Sequence, residues 1–280
     1  MNEKEYFEQI KCYKLIANKS LGQNFLINPQ TAEKIVNLLE IKDDDKVLEI
    51  GAGQGVLSAK IAPLCKDLQI VEIDDNLQPY LCEIARKYHN VSVCYTNALK
   101  YSFCDFDKII TSLPYNILEP FLYKCVKEKV CFIVMLIGDK YALNLKNFEQ
   151  DKSITFIQLL SHTFFNCTVD EFVPKQCFSP APRTGSYIVK LERKATLTDL
   201  DFIVAEIFNQ SDKKIKSALK ESLIRLYKTK DKTLTQRQAK EIIEHMNIDD
   251  NILDCFFSNL TNEQLSILYE KISENINSFN

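Results

Sequence analysis

The chain has 280 residues, of which 46% are hydrophobic, enough to bury a core in more than one structural unit. No apolar run could span a bilayer, and residues 1–9 are charged and lack the apolar core of a signal peptide, so we predict a cytoplasmic protein with no membrane association. The ten cysteines form no Cys-x-x-Cys pair and the three histidines share no ligand spacing, which argues against a disulfide framework and against a metal site.

Strand-like apolar segments and amphipathic helical segments alternate between Thr31 and about Leu191. Such alternation is typical of right-handed βαβ crossovers, so we predict an α/β fold with a doubly wound, mostly parallel, Rossmann-like sheet. The predicted strands are Val47–Ile50, Gln69–Ile73, Val91–Tyr95, Lys108–Thr111 and Cys131–Ile137, and the predicted helices are Thr31–Leu39, Val56–Leu64, Leu77–Lys87 and Leu118–Lys127. An antiparallel pair is predicted to close the sheet, formed by Thr168–Val173 and Ser186–Leu191.

Helical periodicity replaces the strand pattern after Leu191. The predicted helices are Thr198–Phe208, Lys213–Leu226, Thr235–Met246 and Thr261–Ile276. Thr198 or Asp199 could cap the first of them, and Ser211 or Asp212 the second. We therefore predict two domains, a sheet domain over residues 1–193 and a small all-helical domain over residues 194–280.

A tight glycine loop follows the first predicted strand of the sheet. Gly51, Gly53 and Gly55 are three of only six glycines in the chain, and glycine is favoured where a backbone turns sharply close to a ligand. Glu72 ends the next strand about 20 residues later, the spacing expected of an acid that binds a nucleotide ribose. Because Val56 stands where a dinucleotide-binding loop would have its third glycine, the pattern favours S-adenosylmethionine over NAD. An ordinary turn between a strand and a helix is the alternative.

The tetrapeptide Ser112-Leu113-Pro114-Tyr115 follows the fourth predicted strand, where the proline stops ladder pairing and frees backbone carbonyls. The exocyclic amine of a nucleobase is a poor nucleophile, because its lone pair is delocalised into the ring. Acceptors directed at its N–H groups orient the amine towards a methyl donor, and a stacked aromatic ring holds the base. Ser112, a Leu113–Pro114 carbonyl and Tyr115 could supply these parts. The alternative is a strand-terminating turn with a core tyrosine.

Residues 211–232 form a basic stripe, with eight Lys or Arg against three acids, although the net charge of the chain is −3. Such a stripe fits the phosphate backbone of a nucleic acid, and a solvated helix face is the alternative.

Four sequence blocks occur in order along the chain: Ser20–Leu26, Leu48–Gly55 with Val71–Asp74, Ser112–Asn116, and Phe178–Pro182. Together they resemble the ribosomal-RNA adenine N6-dimethyltransferases of the KsgA type, which are related to the Erm methyltransferases. Residues Asn209–Leu219 also resemble the basic helix that opens the C-terminal domain of that family. The resemblance covers roughly residues 15–225.

The resemblance implies S-adenosylmethionine as the methyl donor. It implies that Asn24 and Leu26 contact the methionine part of the cofactor and that Glu72 accepts hydrogen bonds from both ribose hydroxyls. The full set of implied cofactor-binding residues is Asn24, Leu26, Gly51, Gly53, Glu72, Ile73, Asn97, Ala98 and Ser112. The implied catalytic residues are Ser112, Leu113, Pro114 and Tyr115, and the implied RNA-binding residues are Phe178, Lys213, Lys214 and Lys216.

The chain departs from the family pattern at three places. Asn97 replaces the usual aspartate, which accepts a hydrogen bond from the adenine amine of the cofactor. Ser112 replaces the usual asparagine at the start of the target-amine motif, Ser112–Asn116. Both replacements keep an oxygen acceptor, so we expect cofactor binding and catalysis to persist, with weaker cofactor binding. Residues 137–140 replace a Gln-Lys-Glu-like segment at the RNA-facing rim, which leaves the substrate pose open.

The implied function is N6-dimethylation of two adjacent adenines near the 3′ end of small-subunit ribosomal RNA, with the target base extruded from its stack. The implied partner is this RNA or the immature small ribosomal subunit, and we expect a monomer. Within the enzyme class, the Erm-type alternative modifies large-subunit RNA. The alternative from another class is an assembly or RNA-binding factor with the same fold and weak or no methyltransferase activity.

Overall fold

The computed structural model describes residues 17–113, 115–148, 151 and 153–276, and the chain divides into two units. The first unit comprises the chain up to Lys146 together with Cys167–Arg193, and the second comprises Asn147–Asn166 and the chain from Lys194 onward. The units differ from the predicted domains in one segment, residues 147–166, which the sequence placed with the sheet. This segment groups with the helices because its aromatic side chains pack there: the Phe164 and Phe208 ring centroids lie 5.4 Å apart.

The first unit alternates strands and helices much as the sequence predicts. Its elements in chain order are β1 (Phe25–Leu26), α1 (Pro29–Leu38), β2 (Lys46–Ile50), α2 (Ser58–Ile61), β3 (Asp67–Glu72), α3 (Gln78–Lys87), β4 (Val91–Tyr95), β5 (Lys108–Thr111), α4 (Tyr115–Lys127), β6 (Phe132–Gly138), α5 (Asp139–Lys146), β7 (Phe165–Val173), β8 (Phe178–Ser179) and β9 (Ser186–Arg193). Helix α1 begins where Asn28 accepts a hydrogen bond from the Thr31 N–H over 2.8 Å and Pro29 occupies the first helical position. Helix α5 was not predicted, since it follows β6 without a break.

Seven strands form one sheet in the order β4-β3-β2-β5-β6-β9-β7. The pairs β3–β4, β2–β3, β2–β5 and β5–β6 are parallel, whereas β9 pairs with β6 antiparallel. The central strands β2, β5 and β6 are almost entirely buried, as expected of a parallel sheet covered on both faces. The predicted fold class, a mostly parallel Rossmann-like sheet with an antiparallel strand and a helical C-terminal region, is confirmed.

The short strands β1 and β8 form a separate antiparallel pair, with Leu26 opposite Phe178. Both side chains belong to the apolar core that helices α1 to α3 share with the sheet. This pairing holds the N-terminal block, Ser20–Leu26, against the core. It also places that block beside the chain segment that precedes β9.

The second unit is built from helices α6 (Phe156–Phe164), α7 (Asp199–Asn209), α8 (Ile215–Thr229), α9 (Gln236–His245), α10 (Asp250–Leu253) and α11 (Asn262–Ile276). Capping boxes at Thr198 and Thr235 begin α7 and α9, as predicted for Thr198. The predicted caps for the next helix, Ser211 or Asp212, are wrong. Helix α8 begins later, because the Ile215 N–H donates to the Cys255 carbonyl over 2.8 Å instead of to a capping side chain.

Within the described part of the chain, no helix is both long enough and apolar enough to cross a membrane.

Candidate active site

The carboxyl ends of four neighbouring strands carry most of the predicted site residues. Strands β4, β3, β2 and β5 run parallel in that order, so the segments that follow them meet at one edge of the sheet. Two hydrogen bonds join these ends: the Thr96 N–H donates to the Glu72 carbonyl over 2.8 Å, and the buried Thr111 hydroxyl donates to the Ile50 carbonyl over 3.0 Å. No cluster of three or more His, Cys, Asp or Glu suited to a metal ion occurs among the described residues.

The glycine loop turns in a conformation that only glycine adopts readily. Gly51, Gly53 and Gly55 have φ angles of 72°, 58° and 79°. A Cβ on Gly51 would lie 3.6 Å from the Leu113 side chain, and one on Gly53 would lie 3.0 Å from the Phe25 ring. The structure thus brings three of the predicted blocks together around this loop.

Glu72 is held at the end of β3 by three backbone donors. The Gly53 N–H donates to its Oε2 over 3.0 Å, while the N–H groups of Ile73 and Asp74 donate to its Oε1 over 2.8 and 3.1 Å. Burial raises the pKa of this carboxyl, and the three hydrogen bonds offset part of that rise. Oε2, which accepts only the Gly53 bond, keeps a lone pair for a further donor. The next side chain, Ile73, is 49% exposed, so an acceptor and an apolar surface lie side by side.

Glu49 is a second carboxyl beneath the loop, and it was not among the predicted site residues. Its side chain is 1% exposed, and the Ser58 hydroxyl donates to its Oε2 over 2.5 Å. Burial raises the pKa of Glu49 to about 7, with a smaller contribution from the negative charge of Glu72. Glu49 is the penultimate residue of the strand that leads into the glycine loop, so its position could be read from the sequence. Only its burial in the fold distinguishes it from a solvated acid.

Hydrogen bonds join the N-terminal block to the end of β3, which carries Glu72. The Gln23 side-chain amide donates to Asp74 Oδ2 over 2.6 Å, and Asn76 donates to Asp74 Oδ1 through both its backbone and its side chain. Burial raises the pKa of Asp74, but these hydrogen bonds outweigh it and leave the pKa below its ordinary value. Gln23 was not predicted as a site residue. Asn24, which was, is exposed, and its amide donates to the Gly22 carbonyl over 3.0 Å.

Leu26 and Phe178 lie in the core. Leu26 is 8% exposed and Phe178 is 5% exposed, and they face each other across the β1–β8 pair. Their placement fits a role in positioning Asn24 and the neighbouring loop. The burial of Phe178 does not support the predicted RNA contact, because almost none of its ring is accessible.

Asn97 follows β4 and is exposed at the same sheet edge. Its Oδ1 accepts from the Leu99 N–H over 2.9 Å and so caps a short 3₁₀ turn over Ala98–Lys100. An amide oxygen that caps one donor can accept from a second, so Asn97 retains the predicted acceptor. Ala98 is half-buried beside it.

The target-amine motif is described in part. Ser112 and Leu113 are half-buried after β5, and the Ser112 carbonyl lies 3.9 Å from the position of a Cβ on Gly51. Pro114 lies outside the described residues. Helix α4 begins at Tyr115, whose side-chain placement is also outside them.

The predicted RNA-binding lysines differ in their surroundings within the second unit. Lys213 donates to Glu221 over 2.7 Å, and Lys214 pairs with Asp254 over 3.3 Å. Lys216, by contrast, is exposed and forms no ion pair with any described residue.

Comparisons with known proteins agree on one group. A family model described as "Ribosomal RNA adenine dimethylase" matches residues 15–264. The "Probable ribosomal RNA small subunit methyltransferase A" of Methanococcus maripaludis strain C7 is 32% identical over 215 residues, which cover 73% of this chain and 81% of that protein. The "Ribosomal RNA small subunit methyltransferase A" of Clostridium botulinum strain Loch Maree is 31% identical over 201 residues, or 69% and 72% of the two chains.

Two solved structures resemble the fold over 89% of this chain. A dimethyladenosine transferase from Plasmodium falciparum superposes with a TM-score of 0.59 at 23% identity, covering 98% of that chain. The 23S rRNA methyltransferase ErmE superposes with a TM-score of 0.58 at 20% identity, covering all of that chain.

Proposed function

The chain belongs to the ribosomal RNA adenine dimethylase family, and on that basis we propose that it dimethylates N6 of two adjacent adenines near the 3′ end of small-subunit ribosomal RNA. The predicted family, enzyme class and methyl donor are confirmed: the chain is an S-adenosylmethionine-dependent ribosomal RNA methyltransferase. The position of the target adenines, action on the immature small subunit and a monomeric state are parts of the proposal.

The observation that carries the proposal is the Glu72 carboxylate beside the glycine loop. A buried carboxylate with an open acceptor position on Oε2 suits a ribose diol, and the exposed Ile73 side chain next to it suits the flat face of an adenine. When bound, S-adenosylmethionine supplies a methyl group on a positively charged sulfur. The positive φ angles at Gly51 and Gly53 let the backbone come close to the ligand without interference from side chains.

Ser112 orients the target amine in this proposal. It stands where the end of β5 meets the glycine loop, and its hydroxyl oxygen accepts from one N–H of the adenine amine while a backbone carbonyl of the motif accepts from the other. The acceptors hold the nitrogen lone pair in line with the methyl group. The amine gives up its proton only after the new N–C bond has made it cationic, so no strong base is needed beside it.

RNA phosphates are bound by the second unit through lysines that lack an ion pair. We name Lys216, Lys220 and Lys228 the open lysines, because none of them pairs with an acid among the described residues. They are spaced by four and eight residues along α8, which places them along one side of the helix. Lys213 and Lys214, the ion-paired lysines, would first have to leave Glu221 and Asp254. The proposal therefore keeps Lys216 from the predicted set and adds two neighbours.

In vitro methylation tests the proposal. The purified protein is incubated with S-adenosylmethionine and with naked small-subunit RNA, immature small subunits or large-subunit RNA, and mass spectrometry locates any N6-dimethyladenosine. We expect modification of two adjacent adenines near the small-subunit 3′ end. Modification of large-subunit RNA alone would favour the Erm-type alternative. Binding of RNA and cofactor with no methylation of any substrate would favour an assembly factor.

A further inference from the structure

An aromatic pair, of which one ring is exposed and the other half-buried, lies on the last two strands of the sheet in the first unit, outside the residues discussed so far. The rings of Phe172 on β7 and Tyr187 on β9 meet edge to face, with centroids 5.2 Å apart and an interplanar angle of 63°. Phe172 is 46% exposed, although it is one of the largest apolar side chains. An apolar ring that stays open to solvent but is fixed in orientation is a stacking surface for another planar group.

Gly185 fixes the Phe172 ring. A Cβ at residue 185 would lie 2.3 Å from Phe172 Cζ and 2.4 Å from Cε2, so the ring occupies the space that any other residue's side chain would need. The Gly185 carbonyl accepts from the Asp139 N–H over 3.2 Å, which ties this turn to the end of β6. The ring is therefore held in one place before any ligand arrives, which lowers the entropy lost on binding.

The strand register places this pair at the edge that carries the target-amine motif. Thr111 at the end of β5 pairs with Met135 on β6, and Met135 pairs with Val189 on β9. Tyr187 pairs with Ile137, two residues further towards the carboxyl edge of the parallel strands. Because adjacent strands lie about 4.8 Å apart, the backbones of β9 and β7 are about 10 and about 14 Å from that of β5, a span suited to a nucleotide that flanks the target.

Exposed charges of both signs lie near the aromatic pair: Asp170 is on the same face of β7 as Phe172, and two basic side chains stand in the adjoining segments. Arg183 in the turn before β9 and Lys175 just after β7 are exposed, and neither pairs with an acid among the described residues. Glu171, the acid next to Phe172, pairs with Lys34 over 2.6 Å, and strand alternation directs it to the opposite face of the sheet.

We propose that Phe172 and Tyr187 form a stacking subsite for an unpaired nucleobase that flanks the target adenine, with Arg183 and Lys175 binding the adjoining phosphates. The subsite rests on the proposed function, since it needs a single-stranded RNA substrate. Aromatic stacking tolerates any base, so the subsite holds the flanking nucleotide without reading its identity.

Photo-crosslinking tests the subsite directly. A hairpin RNA carries 5-iodouridine in place of the nucleotide on either side of the target adenines, because this base crosslinks on irradiation to an aromatic ring stacked on it. Mass spectrometry of the crosslinked peptide should identify Phe172 or Tyr187. Phe172→Leu should abolish the crosslink at that residue and weaken RNA binding about 10-fold, the effect of one lost base–aromatic stack. Tyr187→Phe should keep both the crosslink and the affinity.

Matched controls separate this role from a structural one. Leu64→Ala removes a similarly exposed apolar side chain of the same unit, which is 45% exposed, and should leave RNA binding unchanged. Affinity for S-adenosylmethionine should be the same in the parent and in Phe172→Leu, which also reports intact folding. If the parent methylates the RNA but crosslinks elsewhere, or if Phe172→Leu binds RNA like the parent, the subsite is wrong and the proposed function stands. If the parent neither binds nor methylates any RNA, both proposals fail.

Discussion

The buried Glu49 carboxyl predicts a specific dependence of stability on pH. In the folded chain its pKa is about 7 instead of the ordinary 4.5, mainly because burial disfavours the charged form. The folded chain therefore holds this proton over a pH range in which the unfolded chain has lost it. The stabilisation is complete below pH 4.5 and is lost as the pH rises towards 7.

The pKa change sets the size of the effect. A rise from 4.5 to about 7 corresponds to about 3 kcal/mol in the free energy of unfolding, most of which falls between pH 5 and pH 8. Glu49→Gln removes the titration while keeping an acceptor for the Ser58 hydroxyl. We therefore expect the stability of Glu49→Gln relative to the parent to increase by about 2–3 kcal/mol from pH 5 to pH 8.

Urea unfolding followed by circular dichroism measures this difference, since the chain has no tryptophan to report by fluorescence. Urea titrations of both proteins are carried out at pH 5 and at pH 8, so that titrating groups that do not interact with Glu49 cancel in the comparison. Ser58→Ala is a second control: it removes the hydrogen bond that favours the ionised Glu49 and should steepen the pH dependence of the otherwise unchanged chain. If the parent and Glu49→Gln lose or gain stability in parallel across this range, Glu49 titrates normally and the reasoning is refuted.

Three further predictions concern ligands. Glu72→Ala should weaken S-adenosylmethionine binding by about 2–3 kcal/mol in isothermal titration, because two charge-assisted hydrogen bonds to the ribose are lost; unchanged affinity, or a preference for NAD, would contradict the assignment of this pocket. Ser112→Ala should slow methyl transfer about tenfold, as one lost hydrogen bond would, with little change in cofactor affinity, while Ser112→Asn should keep or raise activity. An alanine variant as fast as the parent would leave the orienting role to backbone carbonyls alone. Replacing the three open lysines with glutamine should flatten the log–log salt dependence of RNA binding by about 2–3, measured by filter binding, whereas replacing the ion-paired lysines should change it less. An equal loss of slope in both variants would show that the ion pairs open on binding.

Local patterns predicted the elements that position the cofactor. The strand Val47–Ile50, the glycine loop and Glu72 were all placed correctly, because alternation, glycine spacing and strand ends are properties of short segments. Three helices were not predicted by the same reasoning, among them the four-residue α10. Helix α5 follows β6 with no intervening turn, and α6 buries seven of its nine residues, including the polar Gln158 and Ser161, so it has no solvated polar face.

The sequence alone determined the order of strands and helices, the family resemblance and the sheet edge at which the site forms, since each depends on residues close together in the chain. Only the tertiary structure decided which groups meet across long separations. It grouped residues 147–166 with the second unit, paired Lys213 and Lys214 with acids, and buried Phe178. It also buried Glu49 and fixed the Phe172 ring over Gly185. Burial and ion pairing depend on three-dimensional packing, which no local pattern of side chains specifies.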